Sequence, residues 1–313
     1  SNVTVFSSRT AQTVRIDELS VAIHGRSFPD RAVDEDLVPS YPAPVPGFFN
    51  IGMLHTSLGG RPLHDTYAPT DVSTLTVKGY DYWALGHIHA REVVSETPRI
   101  VFPGNLQGRH AKETGAKGCE LISVEAGGIE GEFIPLDVVR WHQLALALNG
   151  IESLEGVGDA FRGALEPLLI GATDRLHAVR VTLTGSTELH AAEANRPGTL
   201  DAAIRAAAQD VSDVEVWIEQ VRLDLATPLN RALALQRQDA VGELIRLVDR
   251  IGADETALGN LARTELGSLL GTLPSEVTDD DVPQLNSASD LRILLRDAEA
   301  TVLARLAAAG GEA

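Results

Sequence analysis

The chain has 313 residues and a formal net charge of −18 at pH 7, with 44% hydrophobic and 22% charged residues. This composition is typical of a globular protein, and the length allows two or three domains. The acidic balance excludes a nonspecific phosphate grip over the whole surface, although metal ions can supply positive charge at a local site. The chain has one cysteine, no apolar run long enough to cross a bilayer and no visible secretion signal, so we expect a cytoplasmic protein.

The first half of the chain is predicted to consist mainly of short strands. The helix in this half is expected to be capped by Thr70 and to end at Gly79. In chain order, the predicted elements are a β-ribbon over 13–25, a strand over 48–55, a helix over 70–79, a strand over 82–85, a strand pair over 93–104 and a hairpin over 118–136.

Histidines follow two of these predicted strands. His55 ends the first, and Gly86, which we expect to turn the backbone out of the second strand, precedes His87 and His89. The strand, helix and strand predict a β-α-β crossover, in which the carboxyl ends of parallel strands share one edge of the sheet. Converging imidazoles at such an edge favour zinc, manganese or iron, and solvated histidines at strand ends are the alternative.

In the second half of the chain, the composition shifts to alanine, leucine and charged residues. Alternating helix and strand patterns predict a small α/β unit, and amphipathic helices follow it. These helices pack against their own core or, alternatively, dock onto a partner. We predict three domains, covering residues 1–142, 150–225 and 228–313, with helices over 154–169, 200–211, 239–251, 258–270 and 287–309 and strands over 178–184 and 214–221.

Five stretches of the first half resemble a known family when they are taken in order. They are GMLHTSL at 52–58, KGYDYWALGHIH at 78–89, FPGNLQGRH at 102–110, ETGAKGC at 113–119 and PLDVVRW at 135–141. With these motifs, residues 1 to about 142 resemble the calcineurin-like metallophosphoesterases, and among them the SbcD-type DNA repair exonucleases. The resemblance implies an α/β fold: part of a metallophosphoesterase β-sandwich flanked by helices, then a small α/β cap and a helical C-terminal region.

The resemblance also implies roles for individual residues. His55 and His87 match ligands of the second of two divalent metal ions, usually manganese, and His89 matches a ligand of the first. In such a site the metal pair clamps a phosphodiester. Arg109 and His110 are candidates for phosphate contact, with a structural loop clamp as the alternative. His64 is a candidate for positioning substrate, and a solvated loop position is the other interpretation.

The chain departs from the family pattern in one important respect. The Asp-x-His motif, the Gly-Asp motif with the bridging aspartate and the Gly-Asn-His-Asp/Glu motif do not occur in residues 1–142, the part that resembles the family. Without a bridging carboxylate two cations repel each other with little compensation, so we expect weak metal binding and little nuclease activity from this chain alone.

The sequence therefore leaves two main functions open. The first is a DNA repair exonuclease, present as a truncated form with an incomplete metal site, and the second is a non-catalytic module that binds a partner or DNA. A phosphatase of small molecules is a less favoured third. The expected partners are DNA, an SMC-like coiled-coil ATPase and a second copy of the chain, with no membrane.

Overall fold

The computed structural model of the protein describes residues 3–30, 33–59, 67–125, 128–270, 272 and 287–310. It divides into two compact units, Ser1–His142 and Gln143–Ala313. Each unit combines sheet and helix, so the predicted α/β fold class is confirmed. Within the described ranges, no helix has the length and apolar character needed to span a membrane.

The first unit is organised around a six-stranded sheet. Its central strands β2 (Val21–Gly25), β3 (Phe49–His55), β4 (Tyr82–Gly86) and β6 (Arg99–Phe102) are parallel to one another, and β1 (Gln12–Ile16) and β5 (Glu92–Glu96) pair antiparallel at the two edges. Helix α1 (Val72–Val77) joins β3 to β4, which confirms the predicted crossover. The strands lie in the order β1-β2-β3-β4-β6-β5.

The start of α1 differs by one residue from the prediction. Asp71 is the N-cap, and its side chain accepts a hydrogen bond of 2.7 Å from the backbone N–H of Thr74. The predicted cap, Thr70, instead donates its hydroxyl to Asp36 at 3.1 Å, a partner from a distant part of the chain. The predicted end is confirmed, since Gly79 has the left-handed φ of +80° typical of a residue just past a helix.

The core of the first unit packs around Trp83, whose side chain is fully buried. The indole N–H donates to the backbone carbonyl of Leu75 in α1 at 3.1 Å, so one side chain links the helix to the sheet. Trp83 pairs in register with Gly52 of β3, and its ring occupies the space above that glycine. The hydrophobic cluster around it includes Leu37, Leu54, Leu75, Tyr80, Leu85, Ile100 and Phe102.

A two-stranded hairpin completes the first unit. Strands β7 (Gly118–Glu125) and β8 (Gly128–Pro135) pair antiparallel, which confirms the predicted hairpin, and residues 126–127 lie outside the described residues. Strand β9 (Val139–Ala147) then begins in the first unit and ends in the second.

The second unit has a three-stranded sheet of order β11-β10-β9, in which β10 and β11 are parallel. Phe161, Leu165, Val181, Leu183 and Ile204 belong to its fully buried core. Helix α3 was not predicted; it has seven residues, too few to show a clear helical period. The remaining elements are α2 (Leu154–Leu169), β10 (Leu176–Ser186), α3 (Leu189–Asn195), α4 (Thr199–Gln209), β11 (Val216–Ala226), α5 (Arg231–Ala234), α6 (Ala240–Ala253), α7 (Glu255–Leu270) and α8 (Ala288–Gly310).

Candidate metal centre

The carboxyl ends of β3 and β4 bring two of the predicted histidines together. His55 pairs in register with Gly86, so His87 follows directly beside it at the same edge of the sheet. The centroids of the His55 and His87 rings are 5.2 Å apart, with 75° between the ring planes. The two imidazoles are thus neighbours at this edge of the sheet.

The turn out of β4 is made differently from the prediction. Gly86 has no left-handed φ, and the unusual backbone angle, a φ of +108°, belongs to His87. The reason for glycine is a close approach, because a Cβ on Gly86 would lie 3.0 Å from Nδ1 of His55. A non-glycine residue in this backbone region is uncommon, and such outliers cluster at active sites and ligand clamps.

His89 is oriented by a residue that the sequence interpretation did not single out. Its Nδ1 lies 2.6 Å from Oε1 of Glu113, a side chain that is only 8% exposed. Because an ionised carboxylate can only accept, Nδ1–H of His89 is the donor, and in the neutral ring the lone pair is then on Nε2. Metal-binding histidines commonly donate their other ring N–H to a carboxylate in this way, which fixes the orientation of the ring.

Glu113 also lies close to the two residues that were predicted to contact phosphate. The Arg109 guanidinium and Nε2 of His110 lie 3.7 and 3.8 Å from Oε1, the oxygen that accepts from His89. The backbone N–H of Arg109 and the side-chain amide of Asn105 donate to Oε2 at 2.8 and 3.1 Å. The side chains of Arg109 and His110 are 68% and 56% exposed, and Nδ1 of His110 accepts a hydrogen bond of 3.2 Å from the backbone N–H of Lys112. The structure therefore places both residues beside His89.

The electrostatics of the centre favour a charged Glu113 and a neutral His55. Burial opposes ionisation of Glu113, but the hydrogen bonds from Arg109, His89 and Asn105 and the nearby His110 lower its pKa to about 2. Burial lowers the pKa of His55, and the neighbouring His89 lowers it further. Neutral imidazole is the form that binds a metal ion.

We expect the depressed pKa of Glu113 to make the protein sensitive to acid. A carboxyl with a native pKa of about 2, against an ordinary value of 4.5, stabilises the fold above pH 4.5 and loses that contribution as the pH falls toward 2. The difference corresponds to about 3 kcal/mol. Urea unfolding between pH 6 and 3 in EDTA should show this loss, with a shallower pH dependence in Glu113→Gln; equal slopes would contradict the assignment.

Aromatic side chains line the same edge of the sheet. Tyr67 lies 5.1 Å from the His87 ring and 6.2 Å from the His55 ring, between centroids, and Phe28 lies 5.7 Å from the His55 ring. Sequence reasoning missed both residues, because no local pattern links them to the histidines. His64 lies outside the described residues.

The histidines fit part of a metal site. The rings of His55 and His87 are adjacent, and a neutral His89 would have its lone pair on the nitrogen opposite its carboxylate partner, which suits a divalent ion that accepts nitrogen ligands. Among the described residues, no group of three or more His, Cys, Asp or Glu side chains lies close enough to hold an ion. The described residues therefore offer a partial donor set.

Comparison with known proteins gives two matches. Residues 141–226 match a family model described as the middle domain of metallophosphoesterase YhaO. The uncharacterized metallophosphoesterase YhaO of Bacillus subtilis (strain 168) is 33% identical to the chain over 253 residues, which cover 80% of the chain and 61% of that relative. The chain thus spans about three fifths of the relative's length. Residues 141–226 are thus similar to the middle domain of YhaO, and four fifths of the chain is similar to a metallophosphoesterase, in agreement with the α/β fold and the histidine-bearing sheet edge.

Proposed function

We propose that the protein containing this chain is a metal-dependent phosphodiesterase that acts on DNA, of the repair exonuclease type, in the cytoplasm. The observation that carries the proposal is the edge of the sheet where the His55 and His87 rings lie 5.2 Å apart, beside a histidine oriented by Glu113. Because the chain spans 61% of the matched relative, the proposal concerns the whole protein.

The residues of this chain have distinct tasks in the proposed reaction. His55 and His87 would hold one divalent ion, manganese in our proposal, and His89 would contribute to a second. Such ions supply Lewis-acid stabilisation of charge on the phosphoryl group. Arg109 and His110 place exposed donors where they would bind phosphate oxygens, and arginine is well suited to this because its donors form a planar fork.

A second candidate function is a non-catalytic module that binds DNA or a partner. It is favoured by the absence, among the described residues, of any three-ligand metal group. In either case we propose an SMC-like coiled-coil ATPase as the partner. The apolar face of α6 is largely used within its own unit, where Ile245 and Val248 are buried, and Leu247 is 46% exposed and available to a partner.

The test combines metal binding with DNA hydrolysis. Binding of Mn²⁺ to this chain, followed by electron paramagnetic resonance, should weaken in His87→Ala and stay unchanged in His190→Gln, a histidine of the second unit. The full-length protein should degrade linear duplex DNA with Mn²⁺, and both EDTA and His87→Ala should abolish degradation. The chain alone should show little turnover.

The outcomes separate the candidates. DNA binding without turnover by the full-length protein would favour the non-catalytic module. Hydrolysis of p-nitrophenyl phosphate without hydrolysis of DNA would favour a small-molecule phosphatase. Turnover that survives EDTA and the His87→Ala substitution would refute the metal-dependent proposal.

A further inference from the structure

Two aromatic rings stand parallel beside the candidate metal centre. The rings of Phe28 and Tyr67 have centroids 6.4 Å apart and planes within 4° of each other. Both are perpendicular to the ring of His55, at 89° and 85°. Phe28 follows the carboxyl end of β2, while His55 ends β3, so the aromatic rings and the histidines share one edge of the sheet.

The backbone holds Tyr67 firmly at this edge. Its carbonyl accepts a hydrogen bond of 2.8 Å from the backbone N–H of Ser57, and its N–H donates to the hydroxyl of Ser57 at 3.3 Å. Ser57 is fully buried, two residues beyond His55. The Tyr67 ring is only partly buried. The ring is thus positioned by its backbone and is partly open to solvent.

The charge of the chain makes such rings useful for binding a nucleotide. A net charge of −18 repels phosphate over most of the surface, so attraction between charges cannot supply general affinity. Stacking on an aromatic face carries no such penalty and tolerates every base, because each base has a flat π-face. A nucleotide also carries its base one sugar away from its phosphate, so both groups can reach one edge of the sheet.

We propose that Phe28 and Tyr67 form a stacking platform for the nucleobase adjacent to the phosphate bound at the His55–His87 edge. The platform selects phosphoesters that carry a nucleobase over those that carry only a sugar, and it does not distinguish between bases. This inference rests on the proposed phosphodiesterase function, whose substrate class it narrows.

The experiment measures binding, so it does not depend on turnover. Calorimetric titrations of the chain with Mn²⁺ present compare dAMP, dTMP and 2-deoxyribose 5-phosphate. We expect both nucleotides to bind about tenfold more tightly than the sugar phosphate, the size of effect expected for one stacked base. Tyr67→Leu and Phe28→Leu, which keep bulk but remove the ring, should each lower nucleotide affinity severalfold and leave sugar-phosphate affinity unchanged. Tyr67→Phe, which keeps the ring, should bind like the parent chain.

Three results would overturn the platform. Equal affinity for dAMP and 2-deoxyribose 5-phosphate in the parent chain would mean that the base adds nothing to binding. That result would overturn the platform and leave the phosphate site intact. An equal loss of both ligands in the leucine variants would mean that the rings only support the histidines. If neither ligand binds to the chain with Mn²⁺ present, the platform is overturned, and the proposed function is decided separately by the assay on the full-length protein. Circular dichroism melts verify that each variant is folded. Because there are two independent leucine variants, the platform can still be tested if one of them misfolds.

Discussion

Replacing Glu113 with glutamine is expected to lower the affinity of the chain for Mn²⁺ by about 10- to 100-fold, the usual effect of removing a carboxylate that orients a metal-binding histidine. The carboxylate is buried, holds Nδ1–H of His89 at 2.6 Å and also accepts from the Arg109 backbone and the Asn105 amide. Glutamine would offer only one acceptor oxygen, and its NH₂ group would face one of these donors. His89 would then lose its fixed orientation.

Electron paramagnetic resonance titration of Mn²⁺ measures this effect directly. Glu130→Gln is a matched control, because Glu130 lies exposed on the hairpin strand β8 and its replacement changes the net charge by the same amount. We expect the control to bind Mn²⁺ like the parent chain. If the two variants lost affinity equally, the effect would be one of general charge, and the assigned role of Glu113 would be wrong.

Replacing Gly52 with alanine is expected to destabilise the first unit by about 3 kcal/mol, at the upper end of the range for overpacking a core. The added methyl carbon would lie 2.4 Å from Cε3 of the Trp83 ring, closer than a Cβ and a non-bonded atom approach each other in proteins. Trp83 cannot move away easily, because it is fully buried and its indole N–H donates to Leu75. Since Gly52 lies three residues before His55 in β3, any adjustment would also shift the candidate metal centre.

Urea unfolding followed by tryptophan fluorescence tests this expectation, with Trp83 reporting on the packing itself. The control is Gly163→Ala in α2, where a new Cβ would meet nothing within 4 Å. An exposed helical glycine gains up to about 1 kcal/mol on replacement by alanine, so the control should be neutral or more stable. An unchanged unfolding midpoint for Gly52→Ala would show that the core tolerates the extra methyl group.

The placement of strands and helices followed closely from local pattern. The apolar run before His55, the helix ending at Gly79 and the strand before His87 all formed as predicted, and parallel pairing then placed His55 and His87 side by side. The predictions were wrong where a contact with a residue distant in the sequence determined the role of a local residue. Thr70 does not cap α1 because its hydroxyl donates to Asp36, and a side chain at Gly86 would crowd the ring of His55, whereas the backbone angle of Gly86 is not left-handed.

The order of elements, the crossover and the two histidines at strand ends can be inferred from the amino-acid sequence, because hydrophobic period and turn residues act over a few positions. The surroundings of those histidines depend on how the chain folds back on itself. Glu113 meets His89 across 24 positions, and Phe28 reaches His55 across the sheet from β2 to β3. No local sequence period predicts such pairs. Each residue is equally compatible with the structure of its own segment, whether or not the other segment packs against it.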